Sequence, residues 1–353
     1  EATLLEGLTI RSQFGIDFSH QSAFMQSFPS YKPNNLQGSS GRSSTDILNL
    51  TITNTANYRF MLKDIHSFNF MIGQEGVDFR QEGFMVSTRG QNNDFLTNVT
   101  SGTRATSWSD VAAAYAYVSF FGRGEYNYDD RYYADFSVRT DGSSRFAKGN
   151  KWGYFPSGGL AWRINQEDFL KDVSFLDNLK LRTSYGIVGN QEISSYQSMA
   201  QVDATSSRYT DYVFGGILAN GSRTSILAQP DLTWEKSRQF DIGVDFGFFN
   251  NRLSGSIDGY YKYTYDLLYN VPLPLESGYR TALVNVGAMK NRGFELTLNS
   301  VNIDTKDFTW QTSFNYSFNK NEIDKLYNDL DRVGNYFVGE SINVIYTKRF
   351  GGI

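Results

Sequence analysis

The run Phe240-Asp241-Ile242-Gly243-Val244-Asp245-Phe246-Gly247-Phe248 alternates large apolar residues with small or polar ones. A side-chain period of two is typical of a β-strand with one apolar and one polar face. The chain then turns at Asn250-Asn251 and alternates again as far as Tyr265, which gives a hairpin of about 30 residues. Strands of soluble sheets usually have about 3 to 10 residues, whereas strands that cross a membrane need about 9 to 11 for the hydrocarbon layer alone. The stretch therefore predicts a transmembrane β-barrel.

The alternation also predicts which side chains face the lipid. Barrel strands turn apolar side chains outward and polar ones toward the lumen, and a slip of one residue would invert every side chain. We therefore expect Phe240, Ile242, Val244, Phe246 and Phe248 to face outward, with Asp241, Gly243 and Asp245 facing inward.

The composition agrees with this class and excludes others. Aromatic residues make up 16% of the 353 residues, and 32 glycines stand against 6 prolines, which favours strands. A run of about 18 apolar residues is missing, so a membrane-spanning helix is not expected. The net charge of −4 argues against a nucleic-acid partner. The absence of cysteine excludes disulfides, thiolate catalysis and cysteine-ligated metals.

Similar alternation along the chain predicts about twelve antiparallel strands in an up-and-down barrel, the last of them poorly defined near 342–350. Short connections are expected at Lys63-Asp64, Asp129-Asp130, Asn250-Asn251 and 304–306, and a helical turn between Gln166 and Asn178. Long polar connections are expected at 19–44, 79–110, 190–235, 267–288 and 320–341. Short turns on one rim and long loops on the other are typical of outer-membrane barrels.

The sequence offers little material for catalysis, and we expect neither an enzyme nor a bound cofactor. His20 and His66 belong to no metal-binding or triad spacing. Asp241 and Asp245 are separated by about 13 Å along a strand, beyond the carboxylate spacing of glycosidases. The Asp329-Leu330-Asp331 cluster lacks the spacing of a calcium-binding EF-hand, and whether such clusters hold calcium stays open.

Weak candidates for ligand contacts lie instead on the predicted lumen face. They are Tyr133, Tyr260, Arg182, Asp241 and Asp245. Tyrosines there can stack on sugar or peptide, although a wet barrel wall also tolerates tyrosine without such a role. The alternation places Arg182 and the two aspartates of the next long strand on the same inward face. We therefore expect the Arg182 guanidinium within about 10 Å, roughly a Debye length, of one of the two carboxylates.

Several longer strings resemble the SusC/RagA-like branch of TonB-dependent outer-membrane transporters of Bacteroidetes. In chain order they are Asp141-Gly142-Ser143-Ser144-Arg145-Phe146, Lys151-Trp152-Gly153-Tyr154-Phe155-Pro156-Ser157, Ala161-Trp162-Arg163-Ile164, Glu167-Asp168-Phe169, Leu179-Lys180-Leu181-Arg182-Thr183-Ser184-Tyr185-Gly186, Leu232-Thr233-Trp234-Glu235-Lys236, Asn285-Val286-Gly287 and Asn291-Arg292-Gly293-Phe294-Glu295-Leu296.

The resemblance implies a 22-stranded barrel in the cell outer membrane that imports glycan oligosaccharides or peptides. It also implies a plug domain, energy supplied through TonB by an N-terminal region, and a surface lipoprotein of the SusD type. Residues 1–353 are accordingly expected to be part of a TonB-dependent receptor β-barrel domain, without its plug domain or its C-terminal strands. The expected partners are that lipoprotein, TonB, the oligomeric substrate and outer-membrane lipid, and the substrate's identity stays open.

Two other classes remain as alternatives. A passive porin or an adhesin barrel would carry the same strands without a plug or energy coupling. A soluble carbohydrate-active β-protein, either an enzyme or a lectin, would also show alternating strands in a sandwich, propeller or β-helix.

Overall fold

The computed structural model describes residues 1–31, 37–203, 212–219, 221–347 and 351. Within these ranges no helix is long and apolar enough to cross a membrane. The strands are β1 (Ala2–Leu5), β2 (Leu8–Ser27), β3 (Gly38–Leu62), β4 (His66–Gln91), β5 (Arg104–Tyr128), β6 (Tyr132–Ser143), β7 (Trp152–Arg163), β8 (Leu176–Asn190), β9 (Gln201–Asp203), β10 (Tyr212–Phe214), β11 (Ile217–Ala219), β12 (Arg223–Ile226), β13 (Glu235–Phe248), β14 (Leu253–Tyr265), β15 (Leu268–Pro272), β16 (Thr281–Asn285), β17 (Ala288–Asp304), β18 (Thr309–Lys325), β19 (Arg332–Val333) and β20 (Tyr336–Phe337). Short 3₁₀ turns lie at Val99–Ser101, Ile164–Gln166, Leu275–Ser277 and Tyr327–Asp329.

Twelve strands form one antiparallel sheet in the order β1-β2-β3-β4-β5-β6-β7-β8-β13-β14-β17-β18. Each strand lies beside its neighbour in the chain, apart from small two-stranded sheets within the long connections, so the meander and its strand number are confirmed. The prediction of a strand near 342–350 is wrong for residues 342–347, which form a turn and irregular backbone. Residues 348–350 lie outside the described residues. The twelfth strand is β1 instead.

Several strands are longer than the alternation predicted. Strands β2 to β5 contain 20, 25, 26 and 25 residues. The predicted loops at 19–44 and 79–110 therefore shrink to connections at 28–37 and 92–103. Backbone pairing continues here through segments such as Gly38-Ser39-Ser40-Gly41, whose side chains show no apolar alternation.

The hairpin that opened the sequence pairs as expected. Phe240 lies opposite Tyr261 and Phe248 opposite Leu253, without interruption along the ladder. Phe240 and Ile242 keep 46% and 47% of their surface exposed. An apolar face left this exposed in a sheet needs a hydrocarbon solvent.

Two tight turns on the short-turn rim have the left-handed backbone that two-residue hairpins require. Lys63 and Asp64 have φ values of 53° and 56°, and Asp129 and Asp130 have φ values of 49° and 52°. Aspartate tolerates this conformation better than most residues, and such turns match the right-handed twist of the flanking strands. The turn chemistry thus fixes the register of these hairpins.

The chain divides into two compact units. One contains Glu1–Ile10, Thr55–Gly73 and Ser119–Ile353, and includes every residue of the candidate site described below. The other contains Arg11–Asn54 and Gln74–Val118 and is held partly by polar contacts: the Ser40 hydroxyl donates to the Thr97 carbonyl at 2.8 Å, and the Thr88 hydroxyl donates to the Val99 carbonyl at 2.6 Å.

Glu167 fastens the connection between β7 and β8 on the short-turn rim. Its Oε1 accepts hydrogen bonds from the Tyr132 hydroxyl at 2.6 Å and from the Trp162 indole N–H at 2.9 Å. These two bonds, the first the stronger, and the nearby Arg131 guanidinium hold the pKa of the Glu167 carboxyl below its ordinary value. The connection forms a 3₁₀ turn and further tight turns, as the predicted helical turn suggested.

This lowered pKa predicts an acid-dependent loss of stability. A carboxyl whose pKa is depressed by folding stabilises the fold above its ordinary pKa, about 4.5, and that contribution disappears as the pH falls through the folded-state pKa. The full-length protein should therefore melt at a higher temperature than its Glu167→Gln variant at pH 7. The gap should narrow below about pH 4.5 in detergent-solubilised melts. An equal gap at pH 7 and pH 3 would contradict the assignment.

Candidate functional site

The five candidate residues lie on one face of the sheet, opposite the apolar face. Arg182 is the cross-strand partner of Gly243, which stands between Asp241 and Asp245 on β13. Tyr260 is the cross-strand partner of Asp241. Because directly paired residues point to the same side of a sheet, this polar face forms a continuous wall over β8, β13 and β14.

Arg182 sits at the centre of an ion triad on this wall. Its Nε lies 3.2 Å from both carboxylate oxygens of Asp245, and its Nη2 lies 2.5 Å from Oδ1 of Asp258. The predicted proximity of Arg182 to one of the two aspartates is thus confirmed. Asp258 is a second partner that the sequence analysis did not select.

Gly243 makes room for the triad. A Cβ atom at this position would collide with the Asp258 carboxylate and the Arg182 guanidinium. The glycine in the alternating motif therefore lets an arginine from β8 lie flat across β13 and reach an aspartate on β14. The three side chains remain between a quarter and two fifths exposed, so the triad orients charge on a wet wall more than it stabilises the barrel.

A shallow cavity of ≈ 230 Å³ opens beside the triad. Its lining includes Tyr133, Asp135, Lys180, Arg182 and Asp241. The ammonium of Lys180 lies 5.6 Å from the centre of the Tyr133 ring, within the range of a cation–π contact. The cavity thus combines an aromatic face, two cations and two carboxylates, a set suited to a polar ligand with hydrogen-bonding groups.

Tyr260 has a different setting. Its ring covers the backbone at Gly293 on β17, where a Cβ atom would collide with the ring. An aromatic side chain over a cross-strand glycine is a packing device of β-sheets. Tyr133, Arg182 and Asp241 line the cavity, whereas Tyr260 and Asp245 do not.

A second feature, which we call the loop-base cluster, lies where the long loops leave the sheet. It consists of five buried apolar residues: Phe146, Phe155, Ile193, Leu232 and Trp234. The Trp234 ring lies 5.3 Å from the ring of Phe146 and 5.4 Å from that of Phe155. Phe146, Leu232 and Trp234 keep at most 3% of their surface exposed, so they are among the most completely buried apolar side chains of the described residues.

Hydrogen bonds join the loops around this cluster. The Trp234 indole N–H donates to the Lys151 carbonyl at 3.0 Å, and the Asn150 amide donates to the Pro230 carbonyl at 3.1 Å. The Ser198 hydroxyl donates to the Arg145 carbonyl at 2.9 Å. The 144–151 connection is therefore tied to both ends of the long connection at 191–234.

Asn285 ties in a third loop. Its side-chain oxygen accepts from the Thr233 N–H at 2.8 Å, while its amide donates to the carbonyls of Thr233 and Asp266 at 2.8 and 2.9 Å. This one side chain thus joins the 191–234 connection to the 266–287 connection. The loops are held at their bases by specific contacts, and the sequence strings that carried the family resemblance supply most of these residues.

The histidines have ordinary partners. His20 Nδ1 lies 2.6 Å from Asp46 Oδ1, and His66 Nδ1 lies 2.8 Å from the Tyr126 hydroxyl. Across the part of the chain that the structure describes, no group of three or more metal-ligating side chains comes together. The arrangement offers surfaces for binding and for positioning loops.

The comparisons with known proteins agree with this geometry. Residues 3–345 match the family model described as TonB dependent receptor-like, beta-barrel. The TonB-dependent receptor SusC of Bacteroides thetaiotaomicron is 39% identical over 262 residues, covering 74% of this chain and 26% of SusC. The TonB-dependent receptor P3 of Formosa agariphila is 34% identical over 369 residues, covering 99% of this chain and 36% of that receptor.

Among solved structures, the RagAB peptide transporter superposes with a TM-score of 0.85 at 33% identity. The match covers 96% of this chain and 38% of the transporter chain. The chain thus spans between about a quarter and two fifths of the length of these relatives. A soluble sandwich, propeller or β-helix is excluded by matches of this extent.

Proposed function

The chain belongs to the TonB-dependent receptor-like β-barrel family, and we propose that the protein containing it is an outer-membrane transporter of the SusC type that imports oligomeric nutrients with energy supplied through TonB. The proposed substrates are peptides or glycan oligosaccharides. The proposed partner is a SusD-type surface lipoprotein, which would hold the substrate against the long loops. The single observation that supports this most is the agreement with the RagAB peptide transporter over 96% of the chain.

The polar wall supports a role in substrate contact. Tyr133, Lys180, Arg182 and Asp241 converge on one cavity and offer both charges and an aromatic ring within a short distance. An oligomer gains affinity by touching several such groups at once, because each contact alone is weak. We include Asp245 and Tyr260 in the proposed contact surface as neighbours of Arg182 and Asp241 on the same wall.

The loop-base cluster supports a role for the loops. Trp234 and Asn285 fix the bases of three connections, so the outer parts of these connections start from defined positions. Pre-positioned loops lose less conformational entropy when they bind. Such a base suits loops that close on a substrate together with a partner protein.

Uptake of labelled peptides and labelled oligosaccharides by cells that carry the full-length protein tests this proposal. We expect one of the two classes to enter, and its uptake to fall to background in a TonB deletion while antibodies still detect the barrel at the cell surface. Moving a plug from a wide barrel requires work, so the loss should be nearly complete.

The control is the same strain complemented with TonB, which should regain uptake. Undiminished uptake without TonB, or a steady single-channel conductance of the full-length protein in planar bilayers, would favour a passive porin. Surface binding without uptake of either class would favour an adhesin.

A further inference from the structure

The outward face of β13, β14, β17 and β18 changes from apolar to charged near the long-loop rim. Cross-strand rows on this face begin as apolar: Val244, Ile257, Leu296 and Tyr316 lie side by side, and so do Ile242, Gly259, Phe294 and Phe318. Closer to the long loops the rows carry charge. One contains Phe240, Tyr261, Arg292 and Lys320, and the next contains Arg238, Tyr263, Lys290 and Glu322.

These charged side chains form one contiguous group, which we call the outer basic patch. It contains Arg238, Lys290, Arg292, Lys320, Glu322 and Asp324. Glu322 lies 3.1 Å from Arg292 Nη2, 3.0 Å from Lys320 Nζ and 3.9 Å from Lys290 Nζ. Lys290 Nζ also lies 3.1 Å from Asp324. Four cations against two carboxylates leave a net charge of +2.

The basic groups are held in place and remain accessible. The Arg238 guanidinium lies 4.7 Å from the Tyr263 ring centre, and the Tyr263 hydroxyl donates to Asp324 at 3.0 Å. Arg292 and Lys320 stay 57% and 50% exposed. One carboxylate, Glu322, is shared among three cations, so their hydrogen-bonding capacity exceeds what the patch itself can satisfy.

The height of the patch places it at the membrane boundary. Arg238 lies ten residues from Phe248 along β13, about 33 Å at 3.3 Å per residue, which a tilt of about 40° reduces to about 25 Å. That is the height of the apolar band of outer-membrane barrels. Outward positions near this rim on β7 and β8 carry aromatic residues instead, Trp152, Tyr154 and Tyr185, so the charged rows do not continue onto these two strands.

We propose that the outer basic patch binds the phosphate group of an anionic lipid in the outer leaflet. Phosphate oxygens accept several hydrogen bonds at once from arginine and lysine, and each juxtamembrane basic residue strengthens binding to anionic headgroups roughly fivefold. The acyl chains of that lipid would lie against the apolar rows below, along Phe294, Phe318 and Tyr316. The inference depends on the membrane location of the barrel and not on the transported substrate.

Native mass spectrometry of the delipidated full-length protein in detergent tests the proposal, with lipid A and its dephosphorylated form as probes. The wild type should bind lipid A more tightly than the dephosphorylated form. The double variant Arg292→Gln with Lys320→Gln should lose roughly tenfold to thirtyfold of that affinity, since two attractive charges are removed. Asp324→Asn should tighten binding several-fold, because it raises the net charge without removing a cation.

Lys306→Gln, in a turn on the opposite rim, is the matched control and should bind like the wild type. A difference in gel migration between heated and unheated samples establishes that each variant has folded. Because Asp324→Asn is expected to strengthen lipid binding and the double variant to weaken it, the pair separates an effect of charge from general damage to the fold. Equal affinity for both lipid forms, full affinity in the double variant, or weaker binding by Asp324→Asn would overturn the proposal. Displacement of the lipid by millimolar inorganic phosphate would identify a free-anion site instead.

Discussion

Val244→Arg should prevent normal insertion of the barrel or strongly destabilise it. Val244 lies on the apolar face, with Leu181 and Ile257 as its cross-strand partners. An arginine facing lipid near the middle of the bilayer costs about 2 to 4 kcal/mol. That corresponds to a shift of roughly thirtyfold to a thousandfold in the folding equilibrium. Denaturant unfolding of the full-length protein in lipid vesicles measures the change directly.

Ser256→Arg is the matched control for this experiment. Ser256 lies on the polar face as the cross-strand partner of Asp245, so an arginine there meets water and a carboxylate. We expect this variant to change the unfolding free energy by less than about 1 kcal/mol, the usual range for exposed ion pairs. Equal destabilisation by both arginines would mean that the two faces are assigned wrongly.

The face assignment is the part of the fold that the sequence predicts best. A barrel strand meets lipid on one face and water on the other, so Ile242 and Asp241 must point to opposite faces. The alternation of the sequence therefore predicts the face of each residue. The short turns were equally predictable because Asp129 and Asp130 tolerate the left-handed backbone that a two-residue hairpin requires.

Strand ends were less predictable, for a physical reason. Once a barrel strand leaves the hydrocarbon layer, its side chains no longer need to alternate while the backbone ladder continues. At the start of β3 and the end of β4 the buried side chains are polar: Ser40 and Gln91 are each 2% exposed, and no apolar alternation marks them. Strand β1, with four residues, is too short for a period of two to stand out.

The polar wall was predicted only in part. The alternation placed Arg182 near Asp241 or Asp245, and the structure shows the contact with Asp245. The alternation did not single out Asp258, because the reach of Arg182 to β14 depends on the space that Gly243 leaves. Knowledge of the strand register, in which Gly243 pairs with both Arg182 and Asp258, would have revealed this contact. Whether these residues contact a ligand remains a prediction.

The loop-base cluster was not predicted as a site, although four of its five residues, all except Ile193, stand within the strings that resemble the family. Phe146 and Trp234 are separated by 88 positions and lie in polar connections, where no periodicity marks a buried residue. A large aromatic residue within an otherwise polar loop is the signal that was available. Such residues merit attention in long loops because burying them requires a partner from another loop.

Trp234→Ala should release the long connection at 191–234 while leaving the sheet intact. The ring is 3% exposed, packs against Phe146 and Phe155, and donates its N–H to Lys151. Truncating a buried tryptophan costs about 3 to 5 kcal/mol. If the loop base opens independently of the sheet, its opening should become roughly a hundredfold to several thousandfold more frequent. Hydrogen exchange of the amides at 191–200 and 226–234 in the full-length protein reports this.

Trp108→Ala is the control, since Trp108 stands 67% exposed on β5, which has a neighbouring strand on each side, lies outside the cluster and loses little packing when truncated. Exchange in β13 and β14 should stay slow in both variants, because those ladders do not depend on Trp234. Faster exchange throughout the sheet of Trp234→Ala would mean that the cluster supports the whole barrel wall. Unchanged exchange at the loop bases would mean that Asn285 and the hydrogen bonds around Arg145 hold the loops without it. With the expected pattern, loop position and barrel stability are separable properties, and loop variants can be tested for uptake without loss of the barrel.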